Sequence, residues 1–192
     1  MPRNIEIKAR LSDLEAARAI AVDLGAAPHG VEEQTDRYYT LDAGRRVKLR
    51  TIRGSRAELI TYDRPEVRGV RASEYTLTPV RDEAAGLCLV PKSAPLVVVH
   101  KRREVLLWDN VRIHLDEVDG LGSFLELEAG VDASHDETAC RAQIDSLMNA
   151  LRLSEPELIR ASYAELILEC GGPEPVEGPP LWGGRREDDA DG

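Results

Sequence analysis

Charged residues recur at every second position along at least five stretches of this 192-residue chain, and they are sorted by type. Bases stand at Lys8, at Arg46, Lys48 and Arg50, at Lys101 and Arg103, and at Arg112; acids stand at Glu6, Asp116, Glu126 and Glu128. Alternate side chains of an extended strand share a face. Glu6 and Lys8 therefore lie about 6 to 7 Å apart on one side of the stretch Asn4 to Arg10, at the usual strand rise. A carboxylate and an ammonium so placed can hold a metal ion and an anion side by side. Three cations on one face of Arg45 to Arg53 repel one another unless water or an anion lies against them. Taken alone, that strand reads equally well as a solvated face. Glu126 and Glu128 on one strand, beside Asp116 on the preceding one, offer hard oxygen ligands of the kind Mg²⁺ or Mn²⁺ prefers.

Such a display needs strands, and most of the chain supplies them. Asn4 to Arg10 alternates without a break, with Ile5, Ile7 and Ala9 opposite the charges. Glu32 to Leu41 and Arg45 to Arg53 flank Asp42-Ala43-Gly44, a hairpin turn. Ala57 to Arg64 places Tyr62 and Arg64 on a common face before Pro65 interrupts it. Ser73 to Val80 is another strand. Leu96 to Trp108, Val111 to Val118 and Ser123 to Val131 follow in close succession, joined by Asp109-Asn110 and by Asp119-Gly120-Leu121-Gly122. Helical spacing appears from Ser12 or Asp13 to Gly25, briefly from Asp82 to a stop at Pro91, from Asp136 to Leu151, and from Ser162 to Glu169. These helices read as covers for the apolar strand faces.

The length suits one domain, and 42% hydrophobic residues can form a sizeable core. One Phe and two Trp leave that core aliphatic. The formal charge is −10; the tail from Gly171 to Gly192 holds six acids against Arg185 and Arg186, a net −4, which leaves −6 for the body. Such a surface repels nucleic-acid backbones and anionic membranes. An anion site must therefore be a local, enclosed concentration of bases. Residues 171–192, rich in Pro, Gly and acids, are expected to be disordered, leaving residues 1–170 as the folded domain. Cys88, Cys140 and Cys170 are odd in number and widely spaced, which suggests inert thiols in a reducing compartment. With no signal peptide and no membrane-length apolar run, a cytoplasmic protein is expected.

About eight antiparallel strands, each with one apolar and one charged face, pose a packing question. If the sheet closes with its charged faces inward and helices cover its apolar exterior, the interior is a polar tunnel. Such a tunnel is stable only where bases, acids, water and ions satisfy one another.

The segments Asn4-Ile5-Glu6-Ile7-Lys8, Gly44-Arg45-Arg46-Val47-Lys48-Leu49-Arg50, Tyr62-Asp63-Arg64 and Lys101-Arg102-Arg103, with Val111 to Asp116 and Phe124 to Glu128, resemble the CYTH superfamily of class IV adenylyl cyclases and thiamine triphosphatases. The likeness covers Pro2 to Glu169. It implies an α+β fold, an eight-stranded antiparallel closed tunnel with helices outside, that grips a triphosphate and one or two Mg²⁺ or Mn²⁺ ions. By that resemblance Lys8, Lys48, Arg50, Arg64, Lys101, Arg103 and Arg112 hold phosphate oxygens, and Glu6, Asp116, Glu126 and Glu128 hold metal. Catalysis would then fall to Glu6, Lys8, Glu126 and Glu128. The family opens with Glu-x-Glu-x-Lys, and this chain departs from it at Asn4, whose amide oxygen can ligate a metal but carries no charge.

The functional expectation is a metal-dependent enzyme acting on a small-molecule triphosphate, by hydrolysis in preference to cyclisation of ATP to cyclic AMP and pyrophosphate. The alternatives are a class IV adenylyl cyclase, a non-catalytic triphosphate-binding module, and a structural protein that would have to tolerate crowded like charges. No nucleic-acid or membrane partner is expected, and the chain is read as a monomer or homodimer.

Overall fold

The computed structural model describes residues 3–41, 46–62 and 71–171. Among them are eight strands: β1 (Arg3–Arg10), β2 (Ala27–Thr40), β3 (Arg46–Ile52), β4 (Ala57–Tyr62), β5 (Arg71–Val80), β6 (Val97–Trp108), β7 (Val111–Val118) and β8 (Gly122–Val131). Four α-helices accompany them: α1 (Leu14–Asp23), α2 (Glu83–Leu87), α3 (Glu137–Ala150) and α4 (Tyr163–Glu169). The fold is α+β. All strand pairs are antiparallel, in the order β1-β5-β4-β3-β2-β6-β7-β8, and β8 pairs back onto β1. The expected Asp42–Gly44 turn, Arg64 and residues 172–192 lie outside the described residues.

Alternation sorts each strand into two faces. Ile5 and Ile7 of β1, Leu106 of β6, Ile113 and Leu115 of β7, and Leu125, Leu127 and Ala129 of β8 share a core with Ala17 and Ala21 of α1 and Cys140, Ile144 and Leu147 of α3. Both helices start on an aspartate that accepts from the backbone three residues on, Asp13 from Ala16 and Asp136 from Ala139. Further round the sheet, α2 covers Leu49 so closely that a Cβ at Gly86 would meet a Leu49 methyl at 2.4 Å. The face turned away from α1, α2 and α3 is called the inner face below.

Several boundaries differ from the sequence reading. β2 begins at Ala27 rather than Glu32, because backbone pairing with β6 carries it through Pro28, where the register shifts before Gly30. That segment has no strand-like composition, so its partner dictates its conformation. α1 ends at Asp23, and Gly25 (φ +94°) turns the chain away, leaving Leu24 43% exposed instead of on the helix's buried face. α2 stops at Leu87, before Pro91. The largest correction concerns α4, which does not lie outside. Its Tyr163, Ala164 and Ile167 pack on Tyr38, Val97, Val99, Val118 and Phe124, which belong to the inner face.

Candidate functional site

The register brings the sorted charges together. Directly paired antiparallel residues point the same way, so Asp36 on β2 faces inward beside Arg50 of β3, and Tyr38 beside Lys48. On the other side Glu6 lies opposite Glu128, Lys8 opposite Glu126, His114 opposite Glu126, and Arg103 opposite Asp116. Two clusters result, joined along β6.

The β2–β3 cluster centres on Asp36. Asp36, 1% exposed, accepts Arg50 Nε at 2.7 Å and Arg50 Nη2 at 2.9 Å in a two-pronged pair, with Lys48 Nζ 3.4 Å away. Lys101 on β6, itself 2% exposed, stands between the clusters, 3.9 Å from Asp36 Oδ2 and 3.8 Å from Asp116 Oδ2.

The β1–β7–β8 cluster has more acids. Arg103 grips Asp116 through Nε at 2.7 Å and Nη2 at 2.5 Å and also reaches Glu126. Lys8 Nζ lies 3.0 Å from Glu126 Oε1 and donates to the Ala161 carbonyl at 3.3 Å. Arg112 binds Glu128 at 2.8 and 3.2 Å, and the Asn4 amide donates to the same carboxylate. His114, 5% exposed, has its Nδ1 3.7 Å from Glu126 Oε2 and without a hydrogen bond.

Electrostatics divides the two clusters. Burial alone would raise the carboxyls of Asp36, Asp116 and Glu126, but the neighbouring cations outweigh it and hold all three below the ordinary range. Glu128 is lowered likewise, chiefly by Arg112 against its burial. Two lysines move down. Burial and then Arg50 push Lys48 to about 8, and burial and then Arg103 push Lys101 to about 7. Burial, followed by Arg103, lowers His114.

Of the sequence-predicted residues, Lys8, Lys101, Arg103, Asp116 and Glu126 form one contact network, and Lys48 and Arg50 join it through Asp36. Arg112 and Glu128 pair at one end of the network, with the Arg112 side chain 48% exposed. Glu6 is placed by register, half-buried opposite Glu128. Arg64 is outside the described residues. Among the described residues no three of His, Cys, Asp and Glu converge closely enough to hold a metal as they stand. Asp116, Glu126 and Glu128 are instead turned toward cations. The donor set still fits a hard divalent ion, since Glu126 and Glu128 are held ionised and share the face of Glu6 on the adjoining strand.

Two residues of the site were missed. Asp36 had a signal: it alternates with Gln34 and Tyr38 across the turn from the Arg46, Lys48, Arg50 row. Tyr163 gave none, because it opens a short helix whose spacing reads only as packing.

No helix among the described residues is long and apolar enough to cross a membrane. The family model of the CYTH domain matches residues 2–163. A Methanocaldococcus jannaschii protein named as a candidate adenylate cyclase is 32% identical over 68 residues, 35% of this chain and 39% of that protein, so the chain matches well under half of that relative's length. Among solved structures, a Pyrococcus horikoshii protein superposes with a TM-score of 0.73 at 24% identity, over 85% of this chain and 98% of that one. A Hippeastrum protein described as a candidate adenylyl cyclase with a dominant triphosphatase activity superposes with a TM-score of 0.61 at 13% identity, over 92% and 99%. At these identities the superpositions establish the fold.

Proposed function

The chain belongs to the CYTH family, and from that membership and the chemistry of its inner face we propose that it is a divalent-metal-dependent enzyme acting on a triphosphate, and specifically a phosphohydrolase. The observation that carries this reading is the surplus of buried positive charge around Lys101. Among the described residues the ammonium has no acid closer than 3.8 Å, while Arg50, Lys48 and Arg103 crowd the same face. Buried like charges are costly unless a polyanion relieves them, and an extended triphosphate is a polyanion that several strands can grip at once.

In this reading the inner face is a tunnel wall that works by exchange. An entering triphosphate takes Lys8, Lys48, Arg50, Lys101, Arg103 and Arg112, with Arg64 by the family likeness, away from the acids that now neutralise them. The released carboxylates of Glu6, Asp116, Glu126 and Glu128 become free to bind Mg²⁺ or Mn²⁺. The ion, when bound, lowers the proton affinity of coordinated water and neutralises charge on the phosphoryl group. The bases hold the chain straight for in-line attack and stabilise the negative charge that builds on the leaving diphosphate. A water oxygen forms the new bond to the terminal phosphorus as the bridging P–O bond breaks, and the diphosphate departs with those electrons. Glu126 and Glu128, kept ionised, are placed to take the water's proton. Neutral Asn4 holds Glu128 in position and adds no charge, which favours a single strongly held cation.

The named relatives support a second reading, in which the ribose 3′-hydroxyl of ATP attacks the α-phosphorus and yields cyclic AMP and pyrophosphate. One assay decides: tripolyphosphate, thiamine triphosphate and ATP, each with Mg²⁺ or Mn²⁺, followed for orthophosphate, pyrophosphate and cyclic AMP. Orthophosphate is expected from each, with an equal amount of pyrophosphate from tripolyphosphate and of the organic diphosphate from ATP or thiamine triphosphate, and no cyclic AMP. Cyclic AMP with pyrophosphate from ATP would transfer the reading to the cyclase, and binding without turnover would reduce it to a triphosphate-binding module. No thermal shift with tripolyphosphate and metal would remove the triphosphate reading altogether.

A further inference from the structure

We propose that Tyr163 is a positioning residue of this site, its ring a platform on which the ammonium groups of Lys8 and Lys101 rest and its hydroxyl an anchor for Asp116. The inference rests on the triphosphate reading for its consequence, and on geometry for its substance. Lys8 Nζ lies 3.9 Å from the Tyr163 ring centroid and Lys101 Nζ lies 5.0 Å from it. The phenol donates to Asp116 Oδ2 at 2.8 Å, the oxygen that Arg103 Nη2 also contacts. Phe124 meets the ring edge-on, with centroids 4.9 Å apart and planes at 65°. Tyr163 is 3% exposed, so the ring's attraction for the ammonium groups acts with little screening by water.

The chain around Tyr163 fixes the ring before any ligand arrives. Ser162 caps α4 reciprocally with Glu165, whose carboxylate accepts the Ser162 backbone N–H at 2.7 Å. Just upstream, Ile159 N–H donates to the Lys8 carbonyl at 2.7 Å and Leu158 bridges Ala9. The Lys8 side chain then returns the contact by donating to the Ala161 carbonyl at 3.3 Å. Lys8 is therefore bound front and back by the segment that delivers Tyr163.

An aromatic ring suits this place better than an acid would. A carboxylate under Lys8 and Lys101 would accept their N–H groups and compete with the phosphate for them. A ring attracts the ammonium charge through its face and accepts no strong hydrogen bond, so it adds no competitor for the N–H groups beyond Glu126 and the Ala161 carbonyl that Lys8 already meets. Leucine, though smaller, would keep the place apolar without that attraction.

The test uses the full chain as wild type, Tyr163→Phe and Tyr163→Leu. Tyr163→Phe keeps the platform and removes the anchor, so KM for tripolyphosphate should move less than threefold, on the order of a weak contact, while kcat falls. Tyr163→Leu removes both, and KM should rise about 5- to 30-fold, the factor that corresponds to one or two desolvated cation–π contacts. A purely structural role would instead lower the folded fraction and apparent kcat in both variants and leave KM alone. In the ligand-free protein, ring current should shift the ε-methylene resonances of Lys8 and Lys101 upfield in wild type and Tyr163→Phe, and the shift should vanish in Tyr163→Leu. Persistence of the shift in Tyr163→Leu, or equal KM values in the two variants, overturns the proposal. An intact shift in a wild-type protein that does not bind tripolyphosphate overturns the triphosphate reading and leaves the platform standing.

Discussion

The β2–β3 side of the inner face and the β1–β7–β8 side carry the same chemistry in opposite proportion. On the first, Asp36 answers Arg50, Lys48 and part of Lys101, while Glu32 and Glu58 are taken up by Arg56. On the second, four acids, Asp116, Glu126, Glu128 and, by register, Glu6, stand against three bases, Arg103, Lys8 and Arg112. Both sides are built from alternating strands, so strand chemistry alone does not separate them. The separation lies in which ions are in surplus. A cation-rich side suits phosphate oxygens, an acid-rich side suits a divalent metal, and β6 places Lys101 and Arg103 at the seam between them. A wall polarised in this way can hold the two parts of a metal–triphosphate pair without either displacing the other.

The sharpest way to break this comparison is to remove an acid from each side. Asp36→Asn leaves the buried cations of its cluster without a counter-ion and should cost about 3–5 kcal/mol of stability, read from the urea midpoint of the ligand-free protein, with part of it restored by tripolyphosphate. Glu126→Gln should cost less, because Arg103 keeps Asp116 and Lys8 keeps the Ala161 carbonyl. Equal losses would mean that the two sides are not polarised.

Activity separates the same pair in reverse. Glu126→Gln should lower kcat for tripolyphosphate by about 10²- to 10³-fold, while metal-free binding measured by calorimetry is retained or tightened. Unchanged turnover and unchanged metal dependence in this variant would refute a metal role for the acid-rich side. Next in size, Arg50→Ala should weaken tripolyphosphate binding by about 1.5–3 kcal/mol, as for loss of a hydrogen bond to a charged group. An unaltered Kd would show that the β2–β3 side does not touch the ligand.

The most gradual effect is in pH. Lys101 gives up its proton near pH 7 in the folded protein but near its ordinary 10.5 in the unfolded chain. Between those values the unfolded chain binds more protons, so the metal-free protein should gain stability as pH rises from about 7. Triphosphate prefers the ammonium form, so its stabilising effect should shrink over the same window. Melting curves with and without tripolyphosphate across that range measure both trends, and Lys101→Met should reduce them, leaving the part that Lys48, pushed down to about 8, contributes.

Much of this was visible in the order of residues. The unbroken alternation of Asn4–Arg10 and the paired alternation of Val111–Val118 and Ser123–Val131 specified strands, faces and the bases and acids they carry. What sequence could not supply was the company of each side chain. Asp36 is one acid among mixed neighbours on β2, and only its registration against Arg50 makes it the hub of a cluster. Tyr163 lies 47 residues from Asp116, and its helical context gave no reason to expect it on the charged face. The extension of β2 to Ala27 was invisible for the same reason: a partner strand imposed it.

The pairing of β1 has a consequence for how the chain acquires its shape. Its nearest partner in sequence is β5, where Ile5 meets Ala72, and its other partner is β8, where Asn4 meets Gly130. Neither exists when β1 leaves the ribosome. β1 must wait with one edge unpaired until β5 is complete at Val80, and with the other until β8 is complete at Val131, about two thirds of the way along the chain, and contacts of such long sequence separation are slow to form. The apolar side chains Ile5 and Ile7 are exposed meanwhile to other strands, the circumstance that favours aggregation. Refolding from denaturant should accordingly show late protection of β1 amides against hydrogen exchange, after the β6–β7–β8 meander, whose strands are joined by short turns.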